Sequence, residues 1–292
     1  MLVDAIDEIP FDSQKRLAET LTNSDFFVRH NQVILTSRPL GYLDINIYDG
    51  QIIRFTVNDA YKLISNWQKV LQNNNALTRE SDELLEKFKN DFIGDVFKSG
   101  GVRTDIIETP LFLTFLIFYL SSPNTAEEAN PFSILTSKTR LLSKIVEYVI
   151  PYWESQKPDG RDLITPIRNA ESLRTLYFIG FITKSVPNLS TTELLWGIDQ
   201  NEKILSIDKD KAREYLQLWF KSNIINLDIS RVKFWHEEVK DFCAAKHLVN
   251  LFSLKIMDEA DIRLRLAQPG WESVGFYFYN TFRSGVNNEI FS

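Results

Sequence analysis

The sequence predicts a mixed α/β opening that gives way to a mainly α-helical body, with a β-hairpin late in the chain. Three observations carry this expectation. Two short apolar runs, Leu2-Val3 and Val33-Ile34-Leu35, each stop abruptly at polar or charged residues. From Asn58 onward apolar residues recur at three- and four-residue intervals, the period of one helix face. Between Ile225 and His236 the period drops to two, the mark of half-buried strands.

The first run passes directly into Asp4, and Asp7 and Glu8 follow before Pro10. Carboxylates at the C-terminal end of a buried parallel strand stand where open α/β sheets bind ligands. In a nucleoside-triphosphate site the first acid holds Mg²⁺ through water, and a later one positions the attacking water. Asp4, Asp7 and Glu8 have the chemistry for these tasks; a solvated turn after a strand uses the same residues. The second run ends in Thr36-Ser37-Arg38-Pro39, where Pro39 restricts Arg38 to extended backbone. An arginine held there can read the γ-phosphate of a nucleotide, and it can equally pair with Asp4 or Asp7.

Composition bounds the rest. With 292 residues the chain can bury two or three cores, and 44% hydrophobic with 25% charged residues is ordinary for a soluble globular protein. A net charge of −6 argues against broad binding to a phosphate backbone. One cysteine, Cys243, and three scattered histidines, His30, His236 and His247, leave no disulfide framework and no zinc spacing. A reducing, cytoplasmic setting fits. The most apolar run, Leu111 to Leu120, is too short to span a bilayer and reads as a buried helix.

In order, Ser13 to Leu21 reads as a short helix with Ser13 as N-cap, and Gln51 to Val57 alternates as a third strand. Asn58 then caps a helix through Trp67 and Leu71. Glu83 to Phe97 is helical and breaks at Ser99-Gly100-Gly101. Thr109-Pro110 opens the apolar helix, with Thr109 as N-cap and Pro110 at the first helical position. Lys138 to Trp153, Glu171 to Thr183, a short helix opened by Ser190 or Thr191 with Glu193, and Lys211 to Lys221 are further helices. The alternation of Ile225, Leu227 and Ile229, then Val232, Phe234 and His236, is a hairpin. Helices followed by such a hairpin point to a winged-helix unit. A helix resumes at Glu237, another covers Asp258 to Ala267, Pro269-Gly270 turns the chain, and the aromatic stretch from Trp271 reads as the start of a further helical region.

The two strand ends together resemble the Walker B and sensor 1 segments of NACHT domains, in the STAND class of signal-transduction P-loop NTPases. That family pattern is an apolar strand with D-x-x-D-E, then an apolar strand with T-S-R-P. A third match is Phe234-Trp235-His236-Glu237-Glu238-Val239-Lys240-Asp241-Phe242-Cys243-Ala244-Ala245. It resembles the family's winged-helix signature F-x-H-x-x-x-x-E-[YF]-x-A-A, with Asp241 standing for Glu. The resemblance implies the C-terminal part of a P-loop NTPase sheet over 1–105, a helical domain over 106–160, a winged-helix domain over 161–252 and further helices over 253–292. It implies a nucleotide-dependent oligomerisation switch, in defence or regulated cell death, with ATP/ADP or GTP/GDP and Mg²⁺ as ligands and a homo-oligomer as the active form. Residue by residue, it implies Asp4 as the Mg²⁺ and nucleotide ligand, Asp7 and Glu8 as catalytic acids and Arg38 as phosphate sensor. It places Pro110 near the base and His236 on the β-phosphate of ADP. No G-x-x-x-x-G-K-[ST] phosphate loop occurs in the chain. The expectation is therefore a fragment whose missing N-terminal P-loop half holds the phosphates, and which alone binds and hydrolyses nucleotide negligibly.

Two other readings use the same residues. One is a winged-helix DNA-binding regulator with Lys211 to Lys221 as recognition helix, carrying Lys211, Arg213 and Lys221; the acidic balance disfavours nucleic acid. The other is a helical adaptor that no longer switches.

Overall fold

The two opening apolar runs pair as strands. β1 (Leu2–Val3) and β2 (Ile34–Leu35) are parallel, with Leu2 opposite Ile34 and Val3 opposite Leu35. Helix α1 (Phe11–Asn23) connects them, as a parallel pair requires. The computed structural model describes residues 2–3, 11–23, 34–35, 54–122, 125, 130–150, 170–186, 188–205, 207–228 and 231–289. Met1–Ile53 and Arg54–Ser292 form two compact units. Within the first, Ser13 lies inside α1 and is not its N-cap, because helical hydrogen bonding already begins at Phe11 and Asp12 supplies the first-turn acid.

The second unit opens with a correction. Residues 54–56 lie in no strand, and Val57 starts helix α2 (Val57–Asn73). A capping box overrides the alternation: Asp59 N–H donates to Thr56 Oγ1 at 3.3 Å and Thr56 N–H to Asp59 Oδ2 at 3.0 Å. Thr56, not Asn58, is the N-cap. Phe55 N–H is taken by Glu108 O at 3.0 Å, so this backbone serves a helix end, not a sheet.

Helix α3 (Arg79–Lys87), a π turn (Phe88–Phe92) and α4 (Ile93–Ser99) follow one another without a break. Gly100 and Gly101 end the run at φ of +68° and +80°, where a side chain is disfavoured. After α5 (Val102–Glu108) comes α6 (Pro110–Leu120), buried on most of its circumference through Phe112, Leu113, Phe115, Leu116, Ile117, Tyr119 and Leu120. Such a helix is a core element. Pro110 sits in its first turn, but Thr109 does not cap it by side chain, because its hydroxyl donates to Asp105 O at 2.8 Å. A 3₁₀ turn (Pro131–Thr136), α7 (Lys138–Lys144, capped by Ser137) and a second π turn (Ile145–Val149) complete this part.

Helix α8 (Ala170–Ser185) crosses the later α12 (Glu237–Ser253) at close range. Between them lie α9 (Thr191–Gln200), with a Ser190–Glu193 capping box, α10 (Glu202–Leu205) and α11 (Lys209–Lys221), capped by Asp208. The hairpin of β3 (Ile225–Asp228) and β4 (Arg231–Phe234) pairs Ile225 with Phe234. Beyond α12, α13 (Glu259–Leu266) carries an Asp258–Asp261 capping box, and α14 (Glu272–Glu289) packs back on α12. The described residues are mainly helical, with two two-stranded sheets. No helix among them is long and apolar enough to cross a membrane.

Candidate functional site

Of the six residues singled out by the sequence, Pro110 and His236 are described; Asp4, Asp7, Glu8 and Arg38 lie outside the described residues. Val3 and Leu35, the residues immediately before Asp4 and Thr36, are directly paired, so both strands end together on one edge.

His236 is not in strand register with Val232 and Phe234. β4 stops at Phe234, and Trp235 N–H returns to Ile224 O at 2.7 Å. His236 then leaves the strand at φ −147°, ψ 140° and becomes the N-cap of α12. Its Nδ1 accepts from Glu238 N–H at 3.1 Å, satisfying one of the orphan donors of the first turn. Accepting at Nδ1 leaves the ring proton on Nε2, a donor available to a ligand oxygen. The two first-turn carboxylates are engaged: Glu237 with Lys240 Nζ at 2.5 Å, and Glu238 as acceptor from the Tyr277 hydroxyl of α14. Burial first, and then the Glu238 charge, push the Tyr277 phenol up.

The helix of Pro110 meets the residue just before His236. Trp235, about half exposed, meets Phe115 of α6 edge-on, with ring centroids 5.6 Å apart. Arg54 bonds Asp105 Oδ1 at 2.8 Å and Glu108 Oε2 at 3.1 Å, fastening the segment before α2 to the helix that leads into Pro110.

The rest of the signature is packing. Asp241 is buried against α8, with its Oδ1 2.7 Å from Lys184 Nζ. Burial pushes its carboxyl up from the usual range, while Lys184 pulls it back. Phe242 lies edge-on to Tyr177 and Tyr277, and Ala244 and Ala245 are fully buried. Nearby, Glu147 of the second π turn accepts from Ser143 Oγ at 2.7 Å and Tyr177 OH at 2.9 Å, and pairs with Lys246 Nζ at 3.2 Å. Lys184, Glu147 and Trp235 were not legible as partners: each contact spans tens of residues, and no local spacing announces it. His247 is buried between the rings of Phe178 and Phe181.

Burial lowers the His247 imidazole to about 4. An unfolded chain takes up this proton near pH 6.5, so the folded state loses stability as pH falls through that window. About 3 kcal/mol of stability is expected to disappear between pH 7.5 and pH 4.5. Urea unfolding at the two values measures it, and His247→Gln should lose that part of the pH dependence.

No group of His, Cys, Asp and Glu among the described residues is arranged to hold a metal ion. The alternative recognition helix spends two of its three named cations, Lys211 and Arg213, locally. Lys211 lies 2.7 Å from Glu171, and Arg213 donates to both carboxylate oxygens of Asp199 at 2.7 and 3.0 Å. Such pairing weakens the field a helix presents to DNA phosphates. Comparison with protein-family models, curated proteins and solved structures finds no match for this chain.

Proposed function

We propose that the chain is part of a NACHT-type STAND NTPase, a signalling switch set by ATP and ADP. The observation that carries this reading is the parallel pairing of Val3 with Leu35. Val3 and Leu35 are the residues before the acidic and the arginine-bearing stretches of the sequence, and the C-terminal edge of a parallel sheet is where α/β folds bind ligands. The hairpin after α8–α11, and the helix that His236 opens, support a winged-helix unit in the second half. The cap supports a nucleotide contact, because with Nδ1 accepting from Glu238 N–H the ring Nε2 is the nitrogen left to meet a ligand at a helix start.

In this reading Asp4 holds Mg²⁺ through water, Asp7 and Glu8 orient the water that attacks, and Arg38 reads the γ-phosphate. Mg²⁺, when bound, neutralises phosphate charge. Pro110 packs near the base and His236 donates Nε2–H to the β-phosphate of ADP. The phosphate loop comes from a segment beyond these residues. Loss of the His236 contact on exchange for ATP would release the closed state, a bistable element biased by its ligand.

The test separates the two tasks of His236. His236→Ala removes the cap and should cost about 1 kcal/mol without nucleotide, whereas His236→Asn, a good N-cap, should cost a few tenths. In the full-length protein with its phosphate loop, ADP should raise the melting temperature of wild type and stabilise both variants less. Equal ADP shifts in wild type and His236→Asn would refute the phosphate contact. Absence of any ADP shift in that protein would refute the switch.

A further inference from the structure

A cavity of about 180 Å³ lies between α8, α10 and the C-terminal half of α12. It is roughly 16 Å along α12 from His236, by the rise of 1.5 Å per residue. We propose that this cavity binds a small monocarboxylate with an apolar body, of about benzoate size.

The polar part of the wall includes Arg174, His247, Asn250 and Ser253, and residues such as Leu205 and Leu251 supply apolar surface. Arg174 Nε is buried and has no hydrogen-bond partner among the described residues. Arg174 is half-buried, but a buried N–H without an acceptor is costly, so an acceptor for Nε is favoured there. Glu171, one turn earlier on α8, acts on Arg174 electrostatically, but its Oε2 lies 2.7 Å from Lys211 Nζ and accepts from Tyr215 OH at 3.0 Å. A guanidinium is the group best shaped for a carboxylate.

His247 fixes the charge class. Burial lowers its imidazole to about 4, so at neutral pH it is an uncharged ring. With Arg174 and an uncharged imidazole on the same wall, the site can balance a monoanion, whereas a phosphate dianion would remain uncompensated. Size follows from volume, since an apolar cavity of about 150 Å³ holds a benzene ring. The site uses no residue of the proposed nucleotide contact, and its test is independent of that reading.

The 292-residue chain is titrated at pH 7.5 with benzoate, with its uncharged near-isostere benzamide, and with acetate and hexanoate, following melting temperature and heat of binding. Benzoate should bind saturably and raise the melting temperature by about 3 °C at ten times its Kd. Benzamide should bind at least tenfold more weakly. Arg174→Met should weaken benzoate at least tenfold while leaving benzamide binding within twofold. Equal affinity for benzoate and benzamide, an unchanged benzoate Kd in Arg174→Met, or no saturable carboxylate binding up to 20 mM (about the weakest affinity that matters) would overturn the proposal. Should Arg174→Met lose its far-ultraviolet circular dichroism, the benzoate–benzamide comparison on the unaltered chain decides alone.

Discussion

Asp241→Ala is expected to lower the stability of the chain by about 3 kcal/mol, measured by urea unfolding at pH 7.5. The pair it breaks is buried, with side-chain exposures of 14% for Lys184 and 9% for Asp241. Removing one partner of such a pair typically costs about 3–5 kcal/mol, because the other charge stays desolvated. Glu272 of α14 acts on Lys184 electrostatically and offsets part of this, which favours the low end of the range. The reverse variant, Lys184→Met, should cost less. Its orphan is a carboxyl that burial already pushes up, and a carboxylic acid can neutralise itself by taking a proton. The sign with pH follows. A carboxyl raised in the folded state contributes stability that is full below its ordinary range and is lost as pH climbs through the raised value. Without Lys184 nothing on α8 opposes the rise, so the loss continues to higher pH. The deficit of Lys184→Met relative to the parent should be smaller at pH 5 than at pH 8. An Asp241→Ala variant as stable as the parent would mean that the pair is hydrated in solution.

Gly180→Val should cost about 3 kcal/mol or prevent folding. A Cβ at position 180 would stand 2.5 Å from Cys243 Cβ, 3.0 Å from Ala244 N and 3.0 Å from Lys240 O. Two of these three atoms are backbone and the third is bonded to it, so no rotamer change relieves the contact. The helix axes of α8 and α12 must part, and the buried residues at their crossing, Leu176, Tyr177, Phe242 and Cys243 among them, lose contact together. Gly180→Ala should suffer less, since alanine's helix propensity returns about 1 kcal/mol. Cys243→Ala should not rescue either variant, because it keeps the clashing Cβ; Cys243→Gly should recover part of the loss. Thermal unfolding of the four single and paired variants measures each term. Gly197 makes a useful control. Its added Cβ would also fall 2.5 Å from a neighbour, but that neighbour is Ile182 Cδ1, the far end of a flexible side chain.

The helices were legible because burial leaves a 3.6-residue trace in the sequence. Spacing alone groups Leu142, Ile145, Val146, Val149 and Trp153 on one helix face; the first four are buried, and Trp153 lies outside the described residues. The hairpin was legible for the same reason at period two. The strand expected from Gln51 to Val57 is not formed over its described residues, 54–57, where two local signals compete. Ile53, Phe55 and Val57 alternate, but Thr56-x-x-Asp59 is a capping box, and its two hydrogen bonds start a helix in the middle of the alternation. His236 was misplaced by extending the alternation two residues past the end of β4, although the acids at Glu237 and Glu238 already announced a helix start. The ion pair of Asp241 left no trace, since a lysine in the last turn of a helix reads as solvated. The signature from Phe234 to Ala245 is largely explained by packing: small residues let α8 approach, and the acid meets Lys184. Within it, His236 is the residue whose cap leaves a ring N–H available to another molecule.

The contact between Trp235 and Phe115 has a practical consequence. The indole is half in water and adjacent in sequence to the cap of α12. Any rearrangement that swings this junction away from α6 must uncouple the two rings and rewet the indole. The protein thus carries an optical gauge at the point where its helical body and its hairpin meet, readable in tryptophan emission once the other five tryptophans are replaced by phenylalanine.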